Sequence, residues 1–199
     1  MMKFFEIPKN AHDTAFFLSD FYQIPQDVDV LILRDPLERF WSACKTNTPE
    51  LSPFGNFPTF TKEEFRNAPT TYEGLDLTPQ QAIDNIKTKL NQNHLSVHLQ
   101  TQVSFIRDKK FDHIIKVETF KADLDRLSEF YGLPIITDEQ LPHTHSSVKE
   151  WDEEAMAIIN SDDFIKEFYK EDIAIYRNSE NLLKTKYNYP EGANLELQE

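Results

Sequence analysis

Three groups of polar residues stand where a folded chain could use them for chemistry. In "VLILRDPLERFWSACKT", residues 30–46, Arg34 directly follows an apolar run and Ser42 stands eight residues later, on a helix that Pro36 opens. In an open α/β sheet, ligands bind outside the carboxyl ends of the strands. An arginine there, beside a helix N-terminus and with a hydroxyl two turns along, has the makings of an anion site. The same residues also suit a ligand-free arrangement, with Arg34 paired to Asp35 or Glu38 and Ser42 on the helix surface. The second group is "IPKNAHDT" at 7–14, a strand-to-helix turn that carries Lys9. Backbone N–H groups and one ammonium at such a turn cradle phosphate. The pattern GxxxxGK[ST] is absent and the turn has no glycine, so a solvated Lys9 in an ordinary loop is the alternative. The third is His98, whose imidazole has the intrinsic pKa for taking a proton near neutrality. His94, His12 and Glu6 are further candidate bases, and a structural hydrogen bond to Gln102 or the backbone is the other use of His98. His143 and His145 are assigned to a surface loop.

These residues need a scaffold. "KFFEIP" at 3–8 reads as a short strand ended by Pro8, and "KNAHDTAFFLSDFY" as a helix of two or three turns. The run 30–33 reads as a strand covered on both faces, and the helix after it turns Leu37, Phe40, Trp41 and Cys44 inward. "TPQQ" at 78–81 is a capping box that predicts a helix to about Asn91. "HIIKVE" at 113–118 is a second buried strand, and "FKADLDRLSEFY" a helix stopped by Gly132 and Pro134. "SVKE" at 147–150 opens a further helix. "SDDFIKEFYKEDIAIYR" then predicts one long helix with Phe164, Ile165, Phe168, Ile173 and Tyr176 inward. Residues 48–77 are irregular and proline-rich, with a short helix opened by "TKEE" at 61–64. The aromatic residues Phe54, Phe57, Phe60 and Tyr72 in that insert suit stacking on a sugar, or simply packing the insert down. Strands separated by helices, without hairpin turns, predict an α/β fold with a mainly parallel sheet flanked by helices. A single domain over 1–180 and a polar tail over 181–199 are expected.

Composition narrows the partners. A net charge of −13 opposes binding to nucleic acid through its phosphates. The last fifty residues hold thirteen acidic and five basic side chains, so the excess sits mainly on C-terminal, solvated helix faces. Cys44 is the one cysteine, which precludes an internal disulfide and suits a reducing compartment. No apolar run approaches a membrane span, and the N-terminus lacks a signal-peptide core. The expectation is a soluble, cytoplasmic protein with neither a membrane nor a nucleic-acid partner.

Taken in chain order, five pieces resemble the sulfotransferases, in their carbohydrate-type or family 2 branch. "IPKNAHDTAFF" is similar to the family's 5′-phosphosulfate loop, and "RDPLERFWS" to its 3′-phosphate motif. "HLQTQVSFI" at 98–106 resembles its His-x-x-x-Gln stretch, and "FDHIIKVETFKADLDRLSEFYGLP" its next strand and helix. "HTHSS" and then "FYKEDIAIY" resemble its Asn-x-Ser loop and its closing Tyr-x-x-Asp helix. The resemblance implies a P-loop-like sulfotransferase architecture, shortened here because only about 25 residues separate Lys9 from Arg34. It implies 3′-phosphoadenosine 5′-phosphosulfate as donor, adenosine 3′,5′-bisphosphate as product, no metal, and a saccharide or other small-molecule acceptor.

Roles follow from the same resemblance. Lys9 would meet the bridging oxygen of the donor and stabilise the leaving phosphate. Asn10, Ala11, His12, Asp13 and Thr14 would hold the 5′-phosphate through their backbone, with the Thr14 hydroxyl assisting. Arg34 and Ser42 would grip the 3′-phosphate, Asp35 would lock the arginine or its loop, and His98 would take the acceptor proton. His12 and Asp13 stand where the family usually has Gly and Thr or Ser. A carboxylate aimed into the cradle would repel the donor, whereas one aimed outward would serve as a helix N-cap. The departure keeps a second reading open, a catalytically impaired relative that binds a nucleotide or glycan without transfer. A P-loop kinase fits less well, since the glycine loop and a Mg²⁺-binding aspartate are missing.

Overall fold

The most apolar run of the chain becomes the middle of a parallel sheet. In the computed structural model, β2 (Val28–Leu33) lies between β1 (Met2–Phe5) and β3 (His113–Lys116), and both pairings are parallel. The structure describes residues 2–5, 7, 12–22, 27–44, 78–91, 98–137, 139–141 and 149–184; for 12–14, 16 and 149–152 it describes the backbone alone. The insert at 48–77, the helix expected at "TKEE", and Glu6, His94, His143 and His145 lie outside these residues. The helices are α1 (His12–Phe21), α2 (Pro36–Cys44), α3 (Pro79–Asn91), α4 (Gln102–Ile106), α5 (Phe120–Tyr131), α6 (Lys149–Ser161), α7 (Asp163–Phe168) and α8 (Lys170–Arg177).

Alternation along β2 decides which layer each side chain feeds. Val28, Val30 and Ile32 pack with Ala15, Leu18 and Tyr22 of the α1 region and with Leu124 and Leu127 of α5. Leu31 and Leu33 point to the other face, against Ile7, Ile106, Phe111 and Leu182. With both faces covered from Val30 onward, residues 30–33 show no polar side and read as an unbroken apolar run, while Asp29 near the strand start is only half-buried. A third cluster joins Phe40, Trp41 and Cys44 of α2 to α3, α6, Ile165 and Tyr169.

Several local expectations hold. The box at Thr78 and Gln81 is reciprocal: the Gln81 N–H donates to Thr78 Oγ1 at 3.3 Å, and the Thr78 N–H donates to Gln81 Oε1 at 2.9 Å. Gly132 ends α5 at φ 64°, a left-handed conformation that glycine adopts without steric cost. Two expectations are corrected. The long helix over 161–177 is divided: Asp162 accepts from the Ile165 N–H and starts α7, and Tyr169, at φ −99° and ψ 16°, separates α7 from α8. No breaker residue marks that division; the buried Tyr169 side chain reaches across to the Leu99 carbonyl and fixes the turn. The chain also stays in the fold past residue 180. Leu182 is buried, Leu183 bridges Phe111, and Lys184 Nζ lies 2.8 Å from both Asp29 Oδ2 and Asp112 Oδ2.

His113, at the start of β3, is 4 % exposed, and its Nε2 sits 2.8 Å from the Tyr131 hydroxyl. Burial holds its imidazole below the ordinary value, with Asp112 opposing. The fold therefore favours the neutral ring. The stability this confers is complete above the unfolded pKa of about 6.5 and is lost as pH falls below it. We expect the melting temperature of the wild type to drop more steeply below about pH 6.5 than that of His113→Gln. Parallel curves would mean that His113 titrates alike in the folded and unfolded chains.

Candidate functional site

Arg34 is the first residue beyond β2, at the carboxyl edge of the sheet. Asp35 caps the helix that follows: its Oδ1 accepts from the backbone N–H of Leu37 at 2.9 Å and of Glu38 at 3.1 Å. The carboxylate is thus committed to the helix start. Pro36 then supplies the first turn of α2 without needing a hydrogen-bond partner for its nitrogen. Ser42 lies half-buried on α2, and Glu38 stands one turn before it on the same line. Arg34 Nη2 and Glu38 Oε2 approach to 3.8 Å, so the ligand-free pairing expected as an alternative is present. Exposed i,i+4 pairs contribute only about 0.3–0.5 kcal/mol. Charge-assisted hydrogen bonds contribute about 1.5–3 kcal/mol, well above such a pairing.

The backbone of Arg34 is clamped from the side. Gln102 Oε1 accepts from the Arg34 N–H at 3.3 Å, and Gln102 Nε2 donates to the Arg34 carbonyl at 2.9 Å. Gln102 is itself fixed, because Asp172 accepts from the backbone N–H groups of Gln102 at 2.7 Å and Val103 at 2.9 Å. Two carbonyls of the turn that leads into it, those of Leu99 and Gln100, are also taken. Arg39 Nη1 donates to Gln100 at 2.8 Å, and the Tyr169 hydroxyl donates to Leu99 at 2.8 Å. His98, half-buried, opens this turn. Three pieces distant in sequence, "RDPLERFWS", "HLQTQ" and "YKED", therefore meet in one hydrogen-bonded network. Burial lowers the Arg39 guanidinium from its usual range and raises the Tyr169 hydroxyl. It also raises the Asp172 carboxyl, against the two N–H donors and the Arg39 charge.

A second carboxylate reaches the same loop. Glu118, just beyond β3, accepts from the Asp35 N–H at 2.7 Å with Oε1 and from the Tyr176 hydroxyl at 2.7 Å with Oε2. Lys116 Nζ lies 4.5 Å from the centre of the Tyr176 ring. Burial and the Glu118 bond both push the Tyr176 hydroxyl upward.

The structure thus places Arg34, Ser42 and His98 on elements that share one network. The parallel register pairs Phe5 with Leu31, so β1 delivers the chain to the edge where Arg34 stands. Lys9, Asn10 and Ala11 lie outside the described residues. His12, Asp13 and Thr14 form the first turn of α1, so Asp13 is one residue inside the helix and not at the expected capping position. Sequence reasoning gave no individual role to Arg39, Glu118 or Asp172, and took Tyr176 only as an inward-facing helix residue. For Glu118 a signal was present, since it closes the apolar stretch expected as a strand over 113–118, of which the structure forms 113–116 as β3 and turns 117–119 into a 3-10 helix. Among the described residues no group of three or more His, Cys, Asp or Glu is arranged to hold a metal, and no helix is long and apolar enough to cross a membrane. No family model matches the chain, and neither a curated protein nor a solved structure matches it.

Proposed function

We propose that this protein is a sulfotransferase of P-loop-like architecture that moves a sulfuryl group from 3′-phosphoadenosine 5′-phosphosulfate to a hydroxyl of a saccharide or other small acceptor. The observation that carries the reading is the placement of Arg34 at the carboxyl edge of a parallel sheet, beside the capped start of α2 and clamped through Gln102. The acceptor oxygen forms the new S–O bond as the bond from sulfur to the bridging oxygen breaks. That oxygen leaves as part of the 5′-phosphate of adenosine 3′,5′-bisphosphate, and the acceptor proton passes to a base, for which His98 is the nominee. Lys9 neutralises the charge growing on the leaving phosphate. The chain of Asn10, Ala11, His12, Asp13 and Thr14 holds that phosphate, while Arg34 and Ser42 hold the 3′-phosphate. The protein's contribution is positioning and charge compensation, as in phosphoryl transfer.

Arg34→Ala should weaken adenosine 3′,5′-bisphosphate binding by roughly 2 kcal/mol or more, as loss of a charge-assisted contact does. AMP, which lacks the 3′-phosphate, should lose much less, and calorimetric titration of both ligands would measure the difference. Equal losses would make Arg34 a structural residue and remove the support for this reading.

One observation favours a second reading, a relative that binds the nucleotide or a glycan without transfer. The backbone of Asp13 lies in the first turn of α1, where the family usually has Thr or Ser, and an acidic residue type there opposes an anionic 5′-phosphate.

A further inference from the structure

Arg34 is a long side chain, and where its guanidinium ends depends on the direction in which its Cα–Cβ bond starts. That direction is set by the two peptide groups flanking the Cα. Gln102 holds the N–H of the first and the carbonyl of the second. Glu118 holds the N–H of the second, which belongs to Asp35. Both holding residues are in turn gripped by α8. Asp172 takes the Gln102 N–H, and Tyr176, one helical turn further along, donates its hydroxyl to Glu118.

We propose that α8 is the positioning element of the anion site: Asp172 and Tyr176 fix both peptide groups around Arg34 through Gln102 and Glu118. Neither residue touches the ligand; they act through Arg34, so the proposal rests on Arg34 being the residue that grips the 3′-phosphate. A small misplacement at a binding or reacting group is costly out of proportion to its size. Coupling of this kind is also reciprocal, so a ligand on Arg34 tightens the docking of α8 against the sheet.

Tyr176→Phe is the clean test, because it removes one hydroxyl at a partly exposed position and leaves the ring over Lys116 in place. In the unliganded protein, hydrogen exchange at the Asp35 amide should accelerate roughly tenfold, with the amides of residues 30–32 unchanged. Affinity for adenosine 3′,5′-bisphosphate should fall roughly tenfold while AMP affinity changes little. Glu118→Gln should give the same pattern, and the double variant should be no worse than either single one. Unchanged exchange at Asp35, equal acceleration along β2, or faster exchange with full bisphosphate affinity would each overturn the proposal. A wild type that fails to bind the bisphosphate would overturn the functional reading instead, and the exchange result alone would then decide whether α8 positions Arg34.

Discussion

Arg39→Ala should lower the free energy of unfolding by about 3–5 kcal/mol in a urea titration, the scale on which breaking one side of a buried charge network is felt. Arg39 is fully buried on α2 and donates to the Gln100 carbonyl, and its charge interacts favourably with Asp172. The truncation leaves that carbonyl without its donor and opens a void, while the Asp172 carboxylate loses a compensating cation. Arg39→Met, which conserves volume, should recover the packing part of the loss and not the polar part. A loss below about 1 kcal/mol for the alanine variant would mean that water replaces the guanidinium at little cost.

Lys9→Ala should reduce sulfuryl transfer by at least about two orders of magnitude, the effect of removing one group that stabilises developing charge. The urea midpoint should stay at the wild-type value. In the proposed reaction the ammonium would matter most as the S–O bond breaks, so kcat should fall more than donor affinity. Transfer of labelled sulfate to a panel of saccharide acceptors measures this directly. An unchanged rate would remove Lys9 from the chemistry. A wild type that binds adenosine 3′,5′-bisphosphate tightly and transfers to none of the panel would favour the impaired relative.

What the chain announces in advance is what its neighbours in sequence decide. β2 and β3 were legible because apolar runs of strand length need no distant information, and the Thr78–Gln81 box and the Gly132 stop act within a turn. The placement of Ser42 on α2 followed from helical spacing alone. What was not legible depends on partners far along the chain. Nothing local sets Arg39 apart from its solvated neighbours; it is buried because the turn at 98–100 lies over it, about sixty residues on. The division at Tyr169 has the same origin, a hydroxyl drawn to a carbonyl seventy residues away. Glu118 and Asp172 look like ordinary acidic residues on the page, and only the meeting of β2, α4 and α8 shows that their oxygens hold the loop. Composition could show an acidic C-terminal segment, but not which carboxylates turn inward.

Lys184 carries a consequence for synthesis. Its ammonium stands between Asp29 and Asp112, and the Asp112 side chain also accepts from the Asp29 N–H. A chain emerging from the ribosome acquires both carboxylates, and all three strands, long before it acquires this cation. Until then the amino edge of the sheet holds these two carboxylates close together without the ammonium that stands between them in the folded chain. The nascent sheet should therefore remain loosely paired at that edge, and the last turn of the described chain closes it.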